Sequence, residues 1–108
     1  MELNELISRT ITVSQGFSAK YDDRDHFIDL VEEVGELANA LQVSSGRKIT
    51  NRAEKQKNQS DVVDAICDIL FELIRLSYKQ NINLESEYIK VLDQIKARIN
   101  NGEFDSKK

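Results

Sequence analysis

Residues 61–76 read Asp61-Val62-Val63-Asp64-Ala65-Ile66-Cys67-Asp68-Ile69-Leu70-Phe71-Glu72-Leu73-Ile74-Arg75-Leu76. At 3.6 residues per turn, Asp61, Asp64, Asp68 and Glu72 fall within a strip roughly 80° wide, which Arg75 and Lys79 extend. The apolar residues cover about 240° of the remaining circumference, whereas a surface helix needs a stripe of little more than about 100°. The pattern therefore predicts a central helix, packed on several sides by its own chain or by a partner's. Ser60 is read as its N-cap, Asp61 and Asp64 suit the positive end of its dipole, and it should run to about Gln80.

The rest of the chain has the same period. From Arg24 to about Gln42, the residues Phe27, Leu30, Val31, Val34, Leu37, Ala38 and Leu41 recur at three- and four-residue steps and predict a second long helix. A shorter one is expected from Asn4 to Gln15, closing near Gly16, and a last one from Leu84 to about Asn100, with Tyr88, Val91, Leu92, Ile95 and Ile99 inward and Gly102 as its stop. No proline interrupts these segments, glycine occurs four times, and no alternating strand pattern is present. Gly35 lies inside a helix at a cost of about 1 kcal/mol relative to alanine, which suggests either a close backbone approach or a historical accident. The reading is all-α, a four-helix protomer. Residues 44–58 form a basic loop, and residues 103–108 form a frayed tail.

Composition bounds what such a chain can do. It has 108 residues, 40% hydrophobic and 31% charged, with a formal net charge of -4. That describes a single domain over residues 1–108, too charged for a membrane protein and too apolar for a disordered one. A chain this short buries only about 60 to 70% of its unfolded surface, so a homo-oligomer is expected. No apolar run reaches the roughly 18 residues a membrane span requires, and the N-terminus lacks a basic and apolar leader pattern, so a cytoplasmic location is expected. Cys67 reads as a small buried apolar side chain. The negative balance argues against nonspecific nucleic-acid binding, which releases counterions from a basic surface.

The acids are concentrated. In the second helix Asp25, Asp29, Glu32, Glu33 and Glu36 lie opposite Leu30, Val34 and Leu41, with Glu33 nearest the apolar boundary. Glu33 and Glu36, one turn apart, can face a neighbouring helix while Asp25, Asp29 and Glu32 stay mostly in water. Acids on a polar helix face are ordinarily just solvated. Here, however, like charges at three- and four-residue spacing repel by a few tenths of a kcal/mol each, and no interleaved cation relieves them. A divalent cation would. Mg²⁺ takes a few carboxylates, keeps waters and accepts phosphate oxygens, so two acid pairs on facing helices suit it.

Two segments carry a family resemblance. Leu30-Val31-Glu32-Glu33-Val34-Gly35-Glu36-Leu37, followed after the loop by Asp64-Ala65-Ile66-Cys67-Asp68-Ile69-Leu70, resembles the MazG-like members of the all-α nucleoside triphosphate pyrophosphohydrolase superfamily. The likeness spans roughly Phe17 to Arg98, and Asn81-Ile82-Asn83-Leu84 looks like the family's continuation after its second motif. The first motif, Glu-x-x-Glu, matches at Glu33 and Glu36. The second, Glu-x-x-Asp, departs: with Asp68 as the aspartate, the glutamate position holds Ala65. Asp64 can stand in for it, or Asp61 and Asp64 can form the pair in another register.

The resemblance implies a MazG-like bundle, assembled as a homodimer or homotetramer. It also implies hydrolysis of a nucleoside triphosphate to the monophosphate and pyrophosphate, with Mg²⁺, or Mn²⁺ in its place, held by Glu33, Glu36, Asp68 and Asp64 or Asp61. Glu33 or Glu32 would take the proton of the attacking water. An anionic substrate needs cations too, and Arg47, Lys48, Arg52, Lys55 and Lys57 in the loop, with Lys90 and Arg98 on the last helix, are the candidates. Phe17, Tyr21 or Phe27 could stack a base, and a metal role for His26 is not expected. Close relatives include dUTP- or dCTP-directed hydrolases and phosphoribosyl-ATP pyrophosphohydrolases. The competing reading is a non-catalytic helical oligomer that binds nucleotide or mediates association.

Overall fold

The computed structural model describes residues 1–18, 20–45 and 59–105. Among them are four helices and no strand: α1 Leu3–Ser14, α2 Asp23–Ser44, α3 Gln59–Lys79 and α4 Leu84–Asn100. The helix boundaries agree with the hydrophobic period to within one or two residues. The caps explain where they fall. Asp22 accepts from the Asp25 backbone N–H at 3.1 Å while Asp25 accepts from the Asp22 N–H at 3.0 Å, a reciprocal capping box that starts α2. Ser60 is not a cap; it lies within the first turn of α3, which already includes Gln59.

Left-handed residues end α3 and α4. Asn81, at φ 57°, allows the Ile82 N–H to reach the Ser77 carbonyl at 3.0 Å, and the Asn81 N–H to reach that of Tyr78 at 3.1 Å. This is a Schellman closure, and it turns the chain into the Asn83 cap of α4. Gly102, at φ 76°, repeats the device at the end of α4. The segment after it is not frayed where it begins. Glu103 turns back to accept two hydrogen bonds from Arg98, each 2.9 Å, and the Arg98 guanidinium lies over the Phe104 ring.

The expectation of a central third helix holds: α3 touches α1, α2 and α4, and its contact with α2 is much the largest. α2 and α3 run antiparallel, since His26 meets Glu72 at one end and Glu36 and Ala40 share a cleft with Asp61 and Asp64 at the other. Between them lie the small side chains Ala40 and Ala65, with Val43 and Val62, all buried.

That core is thin. Among the described residues only Ile11, Ala40, Val43, Val62, Ala65 and Ile74 are buried apolar side chains. Phe27, Val31, Val34 and Leu41 of α2 are exposed, and so are Tyr88, Val91, Leu92, Ile95 and Ile99 of α4, which the spacing places inward; α4 buries nothing. Cys67 is exposed as well. Their helical spacing is real, but α3 offers each neighbour only one side, and no further helix among the described residues covers the rest. Gly35 has open space where a Cβ would stand, so no close approach accounts for it. No helix among the described residues is long and apolar enough to cross a membrane.

Candidate functional site

The antiparallel pairing of α2 and α3 sets their acidic strips side by side. Glu33 and Glu36 from α2, and Asp61, Asp64 and Asp68 from α3, line one cleft of about 180 Å³ over Ala40 and Ala65. The two alanines matter because small side chains let the helices approach closely where the acids flank the contact. Ala65, the position at which a motif glutamate is missing, is buried beneath the cleft. All three aspartates border the cleft, so either register of the second motif supplies carboxylates to it.

Glu33 shows the electrostatic consequence. Desolvation, followed by the negative charges of Glu36, Asp68, Asp29 and Glu32, holds its carboxyl above the ordinary glutamate value of 4.5. An ion pair would have pushed it the other way. The donors are hard carboxylate oxygens, the type Mg²⁺ and Mn²⁺ prefer. Among the described residues, however, no three acids stand close enough together to hold one ion. Mutual repulsion favours this spread. Mg²⁺ usually takes one or two carboxylates and completes its shell with water and substrate oxygens, so a pair drawn from this cleft satisfies its chemistry.

Glu33 and Asp68 also border a second cavity of about 460 Å³, walled by Val13, Phe17 and Phe71 and edged by Asp29 and Glu72. An apolar recess thus adjoins the acids. Phe17 is the one stacking candidate that reaches it. Tyr21 stacks on the Phe17 ring with centroids 5.4 Å apart, and Phe27 is exposed and borders neither cavity. Asp29, expected in water, is half-buried here, whereas Glu32 is exposed and lines neither cavity.

Comparison with protein-family models, characterised proteins and solved structures finds no match to this chain. The site therefore has to be read from its own residues.

Several sequence-predicted residues are not brought together. Arg47, Lys48, Arg52, Lys55 and Lys57 lie outside the described residues. Lys90 is engaged with Glu87 at 3.3 Å and Arg98 with Glu103, both on or just beyond α4, and neither lines the acidic cleft. Glu72 leaves the acidic strip: its carboxylate takes His26 Nδ1 at 2.9 Å in a buried pair. Arg75 reaches Asp23 at 2.9 Å, while its buried Nε, 3.9 Å from Glu72, has no hydrogen-bond partner. The rings of Phe17 and Tyr21 close over His26 with centroids 5.1 and 4.5 Å away. Sequence reasoning missed this clamp between α2 and α3. The only hint was a histidine, itself a group that seeks a partner when buried, near the start of a helix in an acidic chain.

Proposed function

We propose that this protein is a Mg²⁺-dependent nucleotide pyrophosphohydrolase of the MazG-like kind, converting a nucleoside triphosphate to its monophosphate and pyrophosphate. The observation that carries this reading is the shared cleft: Glu33 and Glu36 from one helix face Asp61, Asp64 and Asp68 from another, next to an apolar recess containing Phe17. Five acids in one place disfavour an anionic ligand unless a cation accompanies it.

In this reading a pair drawn from the two sides of the cleft, Glu36 with one of Asp68, Asp64 or Asp61, would hold the cation, water and substrate oxygens completing its shell. When bound, Mg²⁺ would neutralise phosphoryl charge and acidify water. Glu33 is the better placed proton acceptor, because its raised pKa makes it a stronger base than an ordinary carboxylate and it borders both cavities. Glu32 supports Glu33 electrostatically from outside the cleft. Water oxygen bonds to the α-phosphorus, the bridge to the β-phosphate breaks, and pyrophosphate leaves with that bridging oxygen while a cleft carboxylate takes the water proton. Phe17, Val13 and Phe71 offer an apolar surface to the nucleoside. The basic loop residues Arg47, Lys48, Arg52, Lys55 and Lys57 are proposed as phosphate contacts. The protomer is further proposed to complete a helical bundle as a homodimer or homotetramer.

Two observations favour a second reading, a helical oligomer that binds nucleotide without hydrolysing it: Ala65 replaces a motif glutamate, and no three described acids converge. One assay separates the two. Purified protein is incubated with a panel of nucleoside triphosphates and Mg²⁺, and pyrophosphate is measured. The enzyme reading expects release with at least one triphosphate, reduced about 100-fold or more in Glu36→Gln. Nucleotide bound but never cleaved points to the second reading.

A further inference from the structure

The end of α1, the start of α2 and the end of α3 border a further cavity, of about 530 Å³, and none of the five acids of the cleft lines it. Arg75 does, and its guanidinium is under-used. The side chain is 7% exposed, yet only Nη2 makes a hydrogen bond, to Asp23 at 2.9 Å. Nε is buried without a partner, and Nη1 forms no hydrogen bond with the described residues. The next acid, Glu72, lies 3.9 Å from Nε and is held by His26. Buried donors are ordinarily satisfied, and a guanidinium is best satisfied by two parallel bonds to one carboxylate. Asp23 supplies a single oxygen to a single nitrogen from a side chain that is itself 57% exposed. It is an easily displaced partner.

We propose that this cavity binds a small aromatic monocarboxylate, whose carboxylate takes the place of Asp23 on Arg75. The volume lies within the roughly 300–1,000 Å³ of small-molecule sites. Asp23 shows that the guanidinium accepts a carboxylate from this side. Lys79, one turn beyond Arg75, also lines the cavity and forms no ion pair with the described residues, so it adds charge for an anion. Phe17, Tyr21 and Tyr78 supply aromatic wall for the body of the ligand, the first two stacked with centroids 5.4 Å apart. Asp22 and Asp23 line the same cavity, and they repel a phosphate dianion or a nucleotide more than they repel a single carboxylate. The cavity shares only Phe17 with the apolar recess beside the acidic cleft. The inference is therefore a second ligand site, and it does not rest on the proposed hydrolysis.

The probe is phenylacetate, titrated into the full-length protein without Mg²⁺ or triphosphate and followed by NMR, including the Arg75 Nε–H resonance. Phenylacetamide and inorganic phosphate are the comparisons. Phenylacetate should saturate with a dissociation constant of about 1 mM or below and shift that resonance, while the uncharged amide and phosphate should bind about 10-fold or more weakly. Arg75→Lys keeps the charge but loses the fork, and should weaken phenylacetate about 10-fold. Asp23→Asn should tighten it about 5-fold, because the internal carboxylate no longer competes; a merely structural tie predicts no gain. If Arg75→Lys loses its helices by circular dichroism, two variants at exposed positions decide: Asp23→Asn, and Lys79→Gln, which should weaken binding about 3-fold. Absence of saturable binding up to about 20 mM overturns the inference, as does an amide bound as tightly as the acid. Asp23→Asn that fails to tighten binding overturns it too, and phosphate bound more tightly than phenylacetate replaces it with a simple oxyanion site.

Discussion

Glu33 is the residue at which the site's electrostatics can be read most directly. Its folded pKa lies above the ordinary value of 4.5, so the native state binds its proton more tightly than the unfolded chain does. Below 4.5 both states are protonated and the group contributes nothing. As pH rises from there through the folded pKa, the native state must ionise a carboxyl among Glu36, Asp68, Asp29 and Glu32, and stability falls. Glu33→Gln should therefore raise the Tm at pH 7 by about 2 °C, the size expected from relieving a few tenths of a kcal/mol of like-charge repulsion, and leave it unchanged near pH 4. Activity should disappear in the same variant. A thermal scan at the two pH values checks the first half, and an equal shift at both would show that the change acts through packing instead. Asp64 and Asp61 make a similar contrast in activity. If Asp64 replaces the glutamate absent at Ala65, Asp64→Asn loses most hydrolysis and Asp61→Asn little; the reverse order assigns the pair to Asp61 and Asp64. Gly35 is simpler. With open space at its Cβ position, Gly35→Ala should add about 0.5–1 kcal/mol, read as a rise of a few degrees in Tm.

At the scale of elements, the clamp between α2 and α3 is the strongest specific tie. His26 and Glu72 are both buried and paired, so removing one leaves the other without its hydrogen-bond partner. His26→Leu should destabilise by about 3 kcal/mol, whereas His26→Leu with Glu72→Leu should recover most of that loss, since an apolar pair of similar volume needs no desolvation of charge. Denaturant titration of the two variants measures it, and a double variant no better than the single one would mean the pair is worth more than its desolvation penalty. This clamp also marks where sequence reading stopped. Helix limits such as 84–100 follow from local spacing and caps, and so did the acidic strips on α2 and α3 that line the cleft. The His26–Glu72 partnership spans 46 positions, and no local period encodes it. Periodicity likewise shows that Phe27, Val31 and Val34 share a face but not what covers that face. Lys90 and Arg98 lie away from the cleft for a related reason: acids one turn away or just past the helix end, Glu87 and Glu103, engage them.

For the whole molecule, the decisive quantity is how little the protomer buries. A radius of gyration of 17.5 Å compares with about 13 Å for a compact chain of this length, and the six buried apolar side chains among the described residues are few to offset the entropy of ordering them. Such a protomer should draw part of its stability from association, and that dependence has a signature. If unfolding is coupled to dissociation, mass action makes the midpoint rise with protein concentration. Taking about 0.7 kcal/mol per residue, a dimer unfolds with about 150 kcal/mol, and a tenfold increase in concentration should raise the Tm by about 3 °C. The measurement is a series of thermal scans from about 1 to 100 μM, and a midpoint independent of concentration over that range would show that the protomer is stable alone. Mg²⁺ should act differently. Binding at the acidic cleft would raise the midpoint by a similar increment at every protein concentration, and the shift should be lost in Glu36→Gln while the concentration dependence persists. The two responses therefore distinguish a face that joins copies from a cleft that binds a cation, without requiring the substrate to be known.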